Sequence, residues 1–314
     1  MKFAIIAAVA FLFSLTNISR SQNCCAPAVP QQGVLGETTS LQHTLDIGLH
    51  FQYLSSGSMY KGSDEVDDPS NKEADWKQAT FTLAYGILNG LSVGCVVPYT
   101  WKDKSWLSAA DTPVEKSAEG IGDVTCTVRF SPLRRSFVHY RELSLGFGLK
   151  IPTGATDRRV GGMKLLAEMQ PGTGSWDYHG SASYYQGFEL VDFVISGTYV
   201  ITTEHDGYEF GNQFLYLLAS DFHVSERLNL SSALSGFVRA NDRELGKESR
   251  TGRHQLWFVP GVKFQAIPGV LGLQTYFELP IYQHFDGEQL GGDFNFRLTA
   301  TYSLPLKNSD EDDE

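Results

Sequence analysis

From residue 41 onward, hydrophobic and polar positions alternate with a period of two in one stretch after another. In the first, Leu41, Leu45, Ile47, Leu49, Phe51 and Tyr53 share one parity and Gln42, Thr44, Asp46, His50 and Gln52 the other, with His43 an exception on the apolar side. Successive side chains of a strand point to opposite faces, so this spacing predicts a strand with one apolar and one wet face. The same grammar predicts strands over 79–87, 91–101, 121–130, 143–152, 171–187, 190–202, 213–222, 228–239, 253–265, 271–280 and 293–306. The stretch 213–222 is the least regular, because Leu215 and Leu217 fall on its wet parity. Twelve strands result, most of them nine to thirteen residues long.

The connections alternate as well. Short turns at Asn89-Gly90, 187–189, 225–227 and Pro268-Gly269 trade places with long polar segments at 55–75, 102–120, 153–173, 204–212, 241–252 and 284–292. A soluble sandwich would also show period-two patterning, but its strands average about five or six residues. Strands twice as long match the roughly 9–11 tilted residues that cross hydrocarbon. Short periplasmic turns facing long extracellular loops are the pattern of outer-membrane barrels. The apolar faces end in Tyr53, Tyr99, Trp101, Trp176, Tyr178, Tyr199 and Tyr302, as an interfacial girdle would require. Hydrocarbon offers no water to unpaired backbone groups, so the sheet has to close. The predicted fold class is all-β: a single closed antiparallel transmembrane β-barrel of about 12 strands, with both termini in the periplasm.

Composition changes the picture mainly at the ends. The 314 residues are 42% hydrophobic and carry 31 glycines, and beyond the N-terminus no apolar run is long enough for a spanning helix. Residues 1–21 read as a secretory signal, with Lys2 as its charged region, 3–15 as its apolar core and Ser19-Arg20-Ser21 as its cleavage site. The expected partition is therefore the signal (1–21), a periplasmic segment able to plug the lumen (22–40), the barrel (41–306) and an acidic tail (307–314). Removing Lys2 and Arg20 and no acid moves the formal charge from −11 to −13. That excludes nucleic acid as a partner, since phosphate binding needs concentrated Lys and Arg. Of four cysteines, Cys24 and Cys25 are adjacent, while Cys95 and Cys126 sit on apolar parities and read as buried small hydrophobes. There is no CxxC for zinc or redox chemistry.

Three glycine-containing motifs mark strand ends: Gly120-Ile121-Gly122-Asp123-Val124, Leu149-Lys150-Ile151-Pro152-Thr153-Gly154, and Gln170-Pro171-Gly172-Thr173-Gly174-Ser175-Trp176-Asp177. On these the chain resembles the outer-membrane transporter barrels grouped as the phenol-degradation (MetA-pathway) family. The resemblance covers most of the mature chain and implies the bacterial outer membrane and a barrel shape; it specifies no substrate. The chain departs from many such barrels in following Leu306 with an acidic tail rather than ending on an aromatic residue.

The wet parities collect charges of both signs. Asp46, His50, Asp123, Arg129, Lys150, Asp177, His179, Asp192, Arg239, Lys263, Glu278 and Arg297 are expected to line the lumen, with Asp221, Arg253 and Asp293 beside them. Charges there must be paired or hydrated. A twelve-stranded barrel lies between packed eight-stranded ones and open porins, so the lumen should be narrow. The expected function is passive or weakly selective passage of small solutes, aromatic or hydrophobic ones included. The expected partners are outer-membrane lipid and the solute, with no cofactor, no metal and no enzymatic role. Two other classes stay open. A lipid hydrolase would draw on His43, Ser220 and Ser232 on the membrane side, but no GxSxG is present. Asp177 and His179 share a face without an identifiable nucleophile. A non-conducting barrel would use the acidic loops 64–68 and 111–119 to bind a partner or cation, although 64–68 lacks the spacing and glycine of an EF-hand loop.

Overall fold

A computed structural model describes residues 39–108, 110–133 and 141–306. The signal segment, Cys24, Cys25, most of the segment 22–40 and the acidic tail lie outside the described residues. The barrel strands are β1 (Thr44–Ser56), β2 (Glu73–Leu88), β3 (Leu91–Leu107), β4 (Val124–Leu133), β5 (Arg141–Ile151) and β6 (Asp177–Gly187). They continue as β7 (Val191–Ile201), β8 (Gln213–His223), β9 (Leu228–Arg239), β10 (Arg253–Phe258, resumed at Gly261–Ile267), β11 (Leu271–Leu290) and β12 (Phe294–Pro305). Each pairs antiparallel with the next, and β12 pairs with β1 from Thr44↔Pro305 to Ser55↔Phe294, which closes the barrel.

Burial is inverted relative to a soluble fold. Leu49, Phe51, Phe81, Ile195 and Leu218 are exposed, and Phe147 is 70% exposed, while His50, Gln52, Gln78, Thr80 and Thr82 are buried. Only a hydrocarbon surround makes that arrangement favourable, because in water the apolar parity would have to be covered. No described helix is long and apolar enough to cross a membrane; the crossing is made by strands.

Several strands outrun the alternation that predicts them. β2 begins at Glu73 instead of 79, β3 runs to Leu107 instead of 101, and Pro113–Ile121 pairs back on it. The expected loop 102–120 is thus largely a β-ribbon standing above the membrane, where both faces can be polar and the period-two signal vanishes. β11 likewise continues through the expected loop 284–292 to Leu290, past a register shift in its pairing with β10. β10 is interrupted at Val259-Pro260, since proline brings no N–H to the ladder; Val259 still donates to the Ala233 carbonyl at 2.8 Å.

Cys95 and Cys126 are not two separate small hydrophobes. They are ladder partners on β3 and β4, with Cα atoms 4.2 Å apart, joined as a disulfide. A registration across strands decides that pairing, and spacing along the chain does not reveal it.

Above the outer rim, two loop hairpins join edge to edge. Tyr208–Glu209 pairs with Arg243–Glu244, flanked by Glu204–His205 and Lys247–Glu248. Tyr208 and the Gly211 N–H donate to Asp242 at 2.7 and 2.8 Å, and Arg239 forms an ion pair with it. Burial alone would raise the Asp242 carboxyl, but the Arg239 guanidinium and these hydrogen bonds outweigh it and hold the group below its ordinary 3.8. A carboxyl depressed by folding stabilises the folded loops above its ordinary value and stops doing so as pH falls through its lowered one. The window therefore lies below pH 3.8. Pepsin cleavage within 204–212 and 240–252 is expected to begin as wild type is taken down through that window, and Asp242→Asn should be cut there already at about pH 4. Equal resistance of the two proteins at every pH would contradict this.

Candidate functional site: the barrel interior and its outer rim

The interior follows from alternation within a closed wall. Each strand turns every second side chain inward, and the inward set is a mixture of ion pairs, hydroxyls and an apolar column. Of the charged residues singled out in the sequence, most find partners on neighbouring strands of the barrel. Glu278 on β11 pairs with Arg297 on β12 at 2.8 Å, and the guanidinium lies 5.1 Å from the Tyr276 ring centroid. Lys263 on β10 reaches Asp221 on β8 at 2.7 Å. Asp46 accepts from Ser303 at 2.5 Å, and Asp192 contacts His223 at 3.0 Å. His50 lies between Thr299 and Thr82, at 3.0 and 3.3 Å. Arg129 is half-buried on β4.

The three glycine-containing motifs converge on one cluster at the outer end of the interior. Asp123, from the first, accepts the Gly154 N–H at 2.9 Å and the Thr173 N–H and hydroxyl at 2.8 and 2.7 Å. Lys150, from the second, lies 3.4 Å from Asp123 and pairs with Asp177 and Thr173. Asp177, from the third, also accepts from the Ser175 hydroxyl at 2.9 Å and from the Thr203 N–H at 3.2 Å. Lys150 and Asp123 are each 1% exposed. One cation between two carboxylates is the arrangement that lets all three be buried. The loop 153–176 is thereby pinned at both its ends: Gly172 donates to the Ala155 carbonyl at 3.0 Å, where the two strands of the loop cross. Inside it Gln170 holds the loop's own backbone, and Lys102 donates to the Glu168 and Gln170 carbonyls at 2.8 and 2.7 Å.

Asp177 and His179 share the inward face of β6 but engage different partners. His179 passes over Gly148 of β5 to reach Thr127 of β4 at 3.0 Å; a Cβ on Gly148 would come within 2.0 Å of the ring. The two residues form no acid–imidazole dyad. The membrane-side trio does not assemble either. Ser220 and Ser232 are ladder partners on β8 and β9, whereas His43 precedes β1, whose neighbours are β2 and β12, and its Nδ1 contacts the Tyr85 hydroxyl at 3.3 Å. Ser220 is moreover fully buried. Among the described residues, no group of three His, Cys, Asp or Glu side chains is placed to hold a metal.

The apolar column is what sequence reasoning largely missed. Leu54, Trp76, Tyr185, Val194, Leu217, Ala219, Ala233, Trp257, Val259 and Tyr276 form a buried cluster, and all lie on the inward parity of their strands. Val200, Leu215 and Phe237 form a second one above it, toward the outer rim. The irregular placing of Leu215 and Leu217 on a wet parity was its visible trace. At the inner end, Thr39 donates through its N–H and hydroxyl to the buried Glu142 of β5, at 2.8 and 3.0 Å. The chain leading into β1 therefore reaches across the periplasmic opening.

The family model described as "Putative MetA-pathway of phenol degradation" matches residues 75–289, more than half of the chain and all three converging motifs. The chain belongs to this family. No curated protein sequence matches it. Among solved structures, the COG4313 outer membrane channel from Pseudomonas putida F1 is 14% identical, with a TM-score of 0.69 over 85% of this chain and 98% of that one. The transport unit of the autotransporter AIDA-I from Escherichia coli gives a TM-score of 0.46 at 10% identity, covering 84% and 91%. A Pseudomonas aeruginosa FadL homologue gives 0.41 at 11% identity, covering 94% and 99%. The family member described here is a twelve-stranded barrel of the bacterial outer membrane.

Proposed function

We propose that this family member passes small apolar or aromatic solutes across the outer membrane through its interior. The observation that carries the reading is the column of inward apolar side chains from Phe237 and Leu215 through Leu217 and Trp257 to Tyr276, continuous inside a wall that is otherwise polar. Burying apolar groups in a lumen gains little unless they face one another or an apolar solute. The charged inward residues Asp46, His50, Asp123, Arg129, Lys150, Asp177, His179, Asp192, Arg239, Lys263, Glu278 and Arg297 form the polar lining, and their pairing keeps the passage narrow. The segment before β1, anchored on Glu142, restricts the periplasmic end. Membrane lipid contacts the outside, and the solute is the inner partner.

Planar-bilayer recording of the full-length mature protein tests this. A small ion conductance is expected, reduced in a dose-dependent way by benzyl alcohol and left unchanged by a sugar such as raffinose that is too large to enter. A conductance indifferent to every small aromatic or aliphatic solute would refute the reading.

A further inference from the structure

Four neighbouring strands, β12, β1, β2 and β3, turn an uncharged polar row inward beside the apolar column. Gln52 on β1 is directly opposite Gln78 on β2, and Gln78 is opposite Thr100 on β3. Asn295 on β12 lies one step further out, opposite Leu54. None of the four is more than 2% exposed. Among the described residues, neither end of the Gln52 amide nor of the Asn295 amide makes a hydrogen bond. Gln78 donates to the Thr80 hydroxyl at 2.7 Å, yet its carbonyl has no partner, and neither has the Thr100 hydroxyl. The flanking imidazole and charges are engaged: His50 with Thr299 and Thr82, and Arg297 with Glu278 at 2.8 Å.

A buried amide without partners costs free energy that an apolar side chain of the same length would not. The position of the row shows what supplies the missing bonds. Leu54 and Trp76 are opposite each other one step outside Gln52 and Gln78, and both belong to the buried apolar cluster that holds Trp257 and Tyr276. A small molecule resting its apolar body on Leu54 and Trp76 sets a polar substituent against the amides. The carbonyls of Gln52, Gln78 and Asn295 call for a donor, and the amide N–H groups of Gln52 and Asn295 for an acceptor. A hydroxyl or primary amide group supplies both. An ether or ketone oxygen brings no proton. A carboxylate brings none either, and it would carry a charge into a neutral row.

We propose that Gln52, Gln78, Thr100 and Asn295 form a selectivity site for neutral solutes whose apolar body carries a hydroxyl or primary amide group. This rests on the channel reading above and adds the substrate class. The test is planar-bilayer recording of the full-length mature protein, comparing benzyl alcohol with benzyl methyl ether, which keeps the oxygen and loses the proton. The alcohol should halve the conductance at a free concentration about fivefold below that of the ether, as one or two added hydrogen bonds would give. Gln52→Met and Asn295→Leu should each bring the two probes to within about twofold, by weakening the alcohol alone. Their unfolding temperatures should equal or exceed that of wild type, since neither change breaks a side-chain hydrogen bond. Equal potency of the two probes on wild type, a preference that survives both substitutions, or unfolding temperatures several degrees lower in both variants would each overturn the proposal. If both probes block equally, the channel stands and the amide site falls; if neither blocks, the channel reading fails and the site with it.

Discussion

Replacing Asp123 by alanine is expected to destabilise the folded barrel by about 3–5 kcal/mol, the cost of removing one partner from a buried ion pair. The substitution leaves Lys150, itself 1% exposed, with a single carboxylate, Asp177. It also orphans the Gly154 and Thr173 amides and removes the acceptor of the Thr173 hydroxyl. Lys150→Met should cost a similar amount for the opposite reason, leaving two carboxylates buried side by side. Heat-dependent gel mobility and far-ultraviolet circular dichroism would measure both, as a fall in the unfolding temperature. The combined replacement of Asp123, Lys150 and Asp177 by apolar residues of similar volume should be milder than either single change, because no charge is then stranded. Unfolding temperatures within a degree or two of wild type for Asp123→Ala would show that the cluster is hydrated and does not hold the loop.

Gly172→Ala is expected to act on the same loop without touching a charge. A Cβ at Gly172 would lie 2.4–2.6 Å from the carbonyl carbon, oxygen and Cα of Gly154. Those are backbone atoms, so no side chain can swing aside and the loop must lift from the interior. Forced overpacking of this kind costs about 1–3 kcal/mol. Because the loop 153–176 packs inward around the buried Leu165 and Met169, lifting it should also raise the ion conductance of the barrel. Conductance and thermal unfolding of Gly172→Ala should move together, the first up and the second down. By contrast Gly161→Ala, at a position with nothing within 4 Å, should leave conductance unchanged; its positive φ of 59° confines any cost to local backbone strain. If both variants conduct as wild type does, the loop does not restrict the passage.

Much of the architecture was legible from residue order. Alternation in the twelve stretches sorted residues such as Phe51 from His50 and Phe147 from Lys150, and strand length with loop alternation turned that sorting inside out, apolar outward. Errors fell where the signal is physically absent. Glu73–Gln78, Lys102–Leu107 and 284–290 are strand, yet above the membrane neither face must be apolar, so the pattern stops before the ladder does. The disulfide, the Lys150 cluster and the facing pair Arg239 and Arg253 depend on which residues of different strands come level. Asp177 and His179, adjacent in parity and suggestive as a pair, turn out to serve separate contacts.

What residue order determined alone was the local two-sidedness of each strand, because a pleated backbone sends consecutive side chains to opposite faces whatever lies around it. The number of crossings follows from counting those stretches, and the membrane setting and the inward parity from their length and the alternation of short and long connections. Closure of the barrel decided the rest. Register and curvature bring Asp123 beside Lys150, gather Leu54, Trp76, Leu217, Trp257 and Tyr276 from five strands into one apolar column, and set Arg239 against Arg253 above it. Those contacts join residues of different strands, and they depend on register and closure that no local pattern encodes.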